Sequence, residues 1–175
     1  MADEALRMQN ITKIYSNGFI ANKDVTFSVG KNVIHALVGE NGAGKTTLMK
    51  ILFGMEEPQE GKIFINGVEE KLENPLHAIS KGVGMVHQHF MLLPSLTVAE
   101  NVTLGVEPIK NGLFDFEGAV KKTQEIADKY NFKIDARAKV RDLSVGQMQK
   151  VEILKALIKG AKILIMDEPT AVLTP

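Results

Sequence analysis

The sequence predicts an α/β protein, on three observations. Val33–Val38 is a β-branched apolar run that leads through a glycine-rich loop into the helical pattern Thr46–Phe53. Ile163–Met166 is a second short apolar run, of the kind buried on both faces of a parallel sheet. Between them, the stretch from about 89 to 142 reads as largely helical.

The elements follow in chain order. Residues 1 to about 86 alternate short apolar runs with Gly, Asn and Pro turns. Ile63–Ile65 with Asn66-Gly67 is a strand and its turn, and Gly82–Val86 is a further strand. A helix is expected near Phe116–Tyr130, with Val120, Ile126, Ala127 and Tyr130 apolar. A second is expected over about Gly146–Lys159, where Val151, Leu154 and Ile158 recur at helical spacing. The strand Ile163–Met166 follows it. No internal repeat or low-complexity linker interrupts this order.

Bulk properties narrow the function classes. A chain of 175 residues supports one domain, with room for a subdomain. Twenty-one basic and 21 acidic residues balance, so no charged surface points to nucleic acid. The chain has no cysteine, which removes disulfides, thiolate metal sites and a Cys nucleophile. No apolar run is long enough to span a bilayer, and the acidic start Met1-Ala2-Asp3-Glu4 is unlike a signal peptide. A cytoplasmic location is expected, with any membrane association through a partner.

Two motifs carry the chemistry. Gly39-Glu40-Asn41-Gly42-Ala43-Gly44-Lys45-Thr46-Thr47 fits G-x-x-x-x-G-K-[ST]. Glycines let the main chain wrap phosphate oxygens, and successive N–H groups form an anion nest at a helix start. Lys45 is expected to reach the β- and γ-phosphates, and the Thr46 hydroxyl to ligate Mg²⁺. Glycine-rich turns before helices are common; the full pattern in its strand–loop–helix context is what selects phosphate. Asp167 and Glu168 end the second apolar run, at the edge where open α/β sheets bind ligands. Alone they would read as solvated acids before Pro169. Beside the loop, Asp167 is expected to hold Mg²⁺ and Glu168 to orient or deprotonate a water.

With Leu143-Ser144-Val145-Gly146-Gln147, the chain resembles the ATP-binding cassette (ABC) ATPases, whose signature reads L-S-G-G-Q. Val145 departs from it. Gln88 matches the family's Q-loop glutamine, which contacts Mg²⁺ and the water; Tyr15 matches the aromatic that stacks on adenine. The resemblance implies a P-loop NTPase fold with a mainly parallel core sheet, an N-terminal antiparallel β part and a helical subdomain. It sets out one cassette over 1–175, incomplete at its end: a P-loop core part at 1–88, a helical subdomain at 89–145, and a return to the core at 146–175. It implies ATP and Mg²⁺ as cofactors. Catalysis falls to Glu168, Gln88 and Lys45, and the ion to Thr46, Gln88 and Asp167. Nucleotide contacts fall to Tyr15, Gly39, Asn41, Gly42, Gly44, Lys45, Thr46 and Thr47. Ser144, Gly146 and Gln147 would reach the nucleotide on an opposite cassette. Ser144 equally suits a plain helix N-cap, and both roles can hold at once.

The runs Gly84–Asn101, Val151–Leu157 and Asp167–Pro175 are most similar to importers of simple sugars and nucleosides. Their ATPase subunit carries two cassettes in tandem, and this chain resembles the first. The resemblance implies a second cassette, transmembrane permease subunits and, indirectly, a solute-binding protein as partners, and a place on the cytoplasmic face of the membrane. Phe90–Pro94 is open to two readings, core or docking surface for the permease. His87 and His89 flank Gln88 with no third ligand nearby. Two departures stand out: Ala171-Val172-Leu173-Thr174 lacks the family's D-loop aspartate, and the chain ends at Pro175 with no switch histidine. The expectation is poor ATP hydrolysis by this chain alone. Two other functions remain in view, a non-transport ATP-gated clamp and a hydrolysis-impaired binding module.

Overall fold

The computed structural model describes residues 4–167. The chain divides into two compact units, Met1–Val83 and Gly84–Pro175.

The first unit is built on an antiparallel sheet. Strands β1 (Glu4–Ile14) and β2 (Ile20–Gly30) form a long hairpin. After helix α1 (Lys45–Leu52) come β3 (Glu60–Ile65) and the short β4 (Val68–Glu70), giving the order β2-β1-β3-β4. Leu6, Met8 and Ile11 are buried on β1. Their spacing changes from two to three because Asn10 adopts φ 53° and inserts an extra residue against β2. Asp24 (φ 52°) inserts the compensating residue on β2, and the two bulges are tied by Asn10 Nδ2 donating to Asp24 Oδ1 at 2.6 Å. The β3–β4 turn is Asn66-Gly67, both at positive φ, the two-residue turn whose twist matches the strands. Helix α2 (Pro75–Ser80) closes the unit, capped by Asn74 and started by Pro75.

One expectation failed here. Val33–Val38 is not a strand; it runs unpaired, and Ile34 and Val38 are 102% and 89% exposed. β-branched residues favour a strand only through ladder partners and packed faces, and no described strand pairs with this segment.

The second unit holds the paired strands β5 (Val83–Val86) and β8 (Ile163–Met166), all that forms of the expected core sheet among the described residues. Between them lie α3 (Val98–Thr103), the hairpin β6 (Ile109–Lys110) and β7 (Leu113–Phe114), α4 (Phe116–Lys129), a 3₁₀ turn over Val140–Asp142, and α5 (Val145–Ile158). The stretch 89–142 is therefore helical only in part. Its core is Val98 and Val102 of α3, Ala127 of α4, and Val151 and Leu154 of α5, with Ile134 and Val140 between. Gly84 lies against α5 so closely that a Cβ there would stand 2.9 Å from that of Ala156, which is why β5 carries no side chain at this point. No helix among the described residues is long and apolar enough to cross a membrane.

Candidate functional site

In the first unit, the loop from Gly39 to Lys45 is made by its own main chain. Ala43 N–H donates to the Glu40 carbonyl at 3.2 Å, and Gly42 and Gly44 stand at φ 82° and 83°. Gly44 has a second reason to be glycine: a Cβ there would lie 2.2 Å from the Ala21 carbonyl oxygen on β2. At Gly42 a Cβ would meet nothing within 4 Å, so the loop is open at that point. Asn41 is exposed in the same turn.

Helix α1 starts at Lys45, one residue before the expected helical pattern Thr46–Phe53. Its N-cap, Gly44, supplies no side chain, and its first turn holds no acidic residue. The first turn therefore has no oxygen from a capping side chain, the condition in which a helix start takes an anion. Lys45 folds back, its ammonium donating to the Gly39 and Glu40 carbonyls at 2.7 and 2.9 Å. The open loop, the uncapped helix and the lysine together fit a polyphosphate. Thr46 and Thr47 are half-buried in the first turn.

Tyr15 meets this helix. Its hydroxyl lies 3.3 Å from Thr47 Oγ1 and donates to Glu56 Oε1 at 3.0 Å. Its ring stacks on Phe19 with centroids 6.3 Å apart. Two of the expected contact residues, Tyr15 and Thr47, thus come together. Sequence reasoning missed Glu56 and Asn22. Asn22 is buried on β2, and its Nδ2 donates to the Gly44 carbonyl at 3.3 Å, tying sheet to helix start. The available signal was an asparagine in an otherwise strand-like run.

In the second unit, β5 and β8 end at a common edge, where Asp167 N–H donates to the Val86 carbonyl at 3.2 Å. Gln88, exposed, and Asp167, half-buried, both leave from that edge. Glu168 lies outside the described residues, as does the stretch Ala171–Thr174. Ser144 is the N-cap of α5 in a full capping box: Gln147 N–H donates to Ser144 Oγ at 3.4 Å, and Ser144 N–H donates to Gln147 Oε1 at 2.9 Å. The cap reading of Ser144 therefore holds, with Gly146 and Gln147 in the first turn. Val145, where the signature has glycine, is the first helical residue and is 43% exposed, so its side chain meets no steric obstacle.

The segment after Gln88 is held by side chains. Glu152 of α5, 3% exposed, accepts from Met91 N–H at 2.5 Å and pairs with Lys155 at 3.1 Å. Lys155 donates in turn to the Met91 carbonyl at 2.6 Å. Asn101 of α3 does the same for Leu93, accepting from its N–H at 2.7 Å and donating to its carbonyl at 3.1 Å. Both main-chain groups of residues 91 and 93 are thereby occupied, and their side chains face outward, 62% and 47% exposed. Leu92 packs on the helical core. The two readings of Phe90–Pro94 thus divide by residue: Leu92 belongs to the core, Met91 and Leu93 to the surface. Glu100 caps α3 with Thr97; that main-chain bond first, then the Thr97 hydroxyl and Lys139, hold its carboxyl below the ordinary glutamate range.

Comparison with known proteins places this geometry. A family model described as ABC transporter matches residues 22–171. The chain is 51% identical over 170 residues to the guanosine import ATP-binding protein NupO of Bacillus subtilis, covering 97% of this chain and 33% of that protein. It is 50% identical over 176 residues to the nucleoside import ATP-binding protein NupA of Lactococcus lactis, covering 100% of this chain and 35% of that protein. The chain spans about a third of the length of the curated relatives it matches. Among solved structures, the ADP conformation of MJ1267, an ATP-binding cassette of an ABC transporter, superposes with a TM-score of 0.85 at 30% identity, covering 98% of this chain and 71% of that one.

Proposed function

Because the chain belongs to the ABC transporter ATP-binding family, we propose that it binds Mg-ATP on the Gly39–Thr46 loop and forms part of an ATPase that drives import of a nucleoside or simple sugar. The observation that carries this reading is the start of α1: a helix without a side-chain cap, a loop with glycines at positive φ and a lysine donating to loop carbonyls.

Each residue has a role in this reading. The loop N–H groups and Lys45 take the β- and γ-phosphates; main chain and a cation together neutralise charge that would otherwise need solvent. Gly39 and Gly42 leave room for close approach, and Asn41 lines the loop. Tyr15 carries the adenine ring. The resemblance assigns the ion to Thr46, Gln88 and Asp167, which would offer one hydroxyl, one amide and one carboxylate. That donor set suits Mg²⁺, which takes few protein ligands and completes its shell with phosphate and water oxygens. When bound, the ion neutralises charge developing on the phosphates. Glu168, with Gln88, orients the attacking water and accepts its proton. Ser144, Gly146 and Gln147 offer their hydroxyl, N–H groups and amide to a γ-phosphate held by a second cassette, which makes ATP a component of the interface. Transmembrane permease subunits, met from the cytoplasmic face of the membrane, and, through them, a solute-binding protein complete the assembly. The names of the relatives support a nucleoside or sugar as cargo.

The test is a thermal melt of the chain with and without Mg-ATP. At about 100 times Kd, a single site stabilises by about 2.7 kcal/mol, a rise of roughly 5–11 °C for a protein of this size. Lys45→Ala should abolish the rise. No shift in the parent, or a full shift retained in Lys45→Ala, overturns the reading.

A further inference from the structure

Glu56 has no part in the binding chemistry described so far, yet it sits where that chemistry meets the sheet. Its Oε1 accepts the Tyr15 hydroxyl at 3.0 Å. Its Oε2 is buried without a hydrogen bond and stands 3.5 Å from the Lys13 ammonium. That ammonium donates to the Glu57 carbonyl at 2.7 Å and lies 5.4 Å from the Tyr15 ring centroid. The same Tyr15 hydroxyl is 3.3 Å from Thr47 on α1. Lys13 and Glu56 are only 12% and 18% exposed at the side chain. The tyrosine is thus fixed at its hydroxyl by a carboxylate and a helix threonine, and the carboxylate is fixed by a shielded cation.

We propose that Glu56 is a positioning residue for base recognition: through the Tyr15 hydroxyl it sets the plane of the ring on which the nucleobase stacks, and couples that plane to the first turn of α1. The inference rests on the reading of Tyr15 as the base platform. A freely turning tyrosine can still stack, but it loses ring orientation each time a base binds, and aromatic stacking is sensitive to offset and tilt. A hydroxyl held between Glu56 and Thr47 removes that loss in advance. A nucleobase should gain from Glu56, and a bare polyphosphate should not.

The experiment compares Kd for Mg-ATP and for Mg-tripolyphosphate, which has the phosphates but no base, by calorimetry on the full chain. Glu56→Ala and Tyr15→Phe should each weaken ATP about three- to tenfold and leave tripolyphosphate within about twofold. Glu56→Gln, whose amide oxygen still accepts the hydroxyl, should recover most of the loss. Glu56→Ala combined with Tyr15→Phe should be no weaker than either alone, because both break one bond. A residue that merely supports the fold would weaken both ligands in parallel, and that result overturns the proposal. Tyr15→Ala separates the two levels. If it lowers the ATP-to-tripolyphosphate ratio while Glu56→Ala and Tyr15→Phe do not, the positioning role alone is wrong. If Tyr15→Ala leaves the ratio unchanged, or the parent binds neither ligand, the base platform falls and Glu56 with it.

Discussion

The loop over Gly39–Lys45 and the segment that follows Gln88 are both irregular main chain, and they are held by opposite means. The first is shaped from within: a turn bond, two positive-φ glycines and a lysine folded on its own carbonyls. It is open to solvent at Gly42, and no side-chain oxygen caps the helix start that follows. The second is shaped from outside, by Glu152, Lys155 and Asn101 reaching over from two helices to saturate residues 91 and 93. Its side chains, not its main chain, are what it presents. An open main chain suits phosphate oxygens; a saturated one with Met91 and Leu93 exposed suits an apolar partner surface.

If that contrast is right, the largest loss should come from the buried clamp. Glu152→Ala leaves the Met91 N–H without its acceptor and takes the carboxylate from the Lys155 ammonium, which keeps the Met91 carbonyl; we expect about 3–5 kcal/mol of destabilisation by urea unfolding, with faster amide exchange at Met91. A loss under about 1 kcal/mol would mean that the segment is held by Leu92 packing instead. Glycine substitutions come next. Gly44→Ala meets both the Ala21 carbonyl and an unfavourable φ, and should cost about 3 kcal/mol; Gly42→Ala meets only the φ term, about 1–2 kcal/mol. Equal losses would show that the close approach of β2 to Gly44 does not constrain the loop. The smallest effect is electrostatic. The Glu100 carboxyl is lowered by the Thr97 N–H, so its contribution is full above the unfolded glutamate pKa and fades as pH falls through the lower folded value. In melts from pH 6 to pH 3, the parent should lose more stability than Glu100→Gln, by up to about 1 kcal/mol. Parallel curves would remove this cap from the account.

Much of the local structure was legible in the chain. The start of α1, the strand Ile163–Met166, the turn at Asn66-Gly67 and the cap at Ser144 all depend on neighbours in sequence: a glycine before a helix, a β-branched run, an Asn-Gly pair, a Ser three residues before a Gln. The strand expected at Val33–Val38 was misread for the complementary reason, since its apolar pattern states a preference for pairing and not the presence of a partner. Glu152 was hidden because an acid in an amphipathic helix ordinarily faces water; only its pairing with Lys155, in a helix otherwise rich in apolar residues, hinted at burial.

The sequence by itself determined the ligand class, because a phosphate loop is a short-range object whose main-chain torsions and helix start are specified within ten residues. Only the tertiary structure decided which side chains stand behind it. The contact of Tyr15 with Glu56 and that of Asn22 with Gly44 close across long stretches of chain. A hydrogen bond of that range depends on where the sheet bulges at Asn10 and Asp24 place each strand, and local pattern carries no record of that.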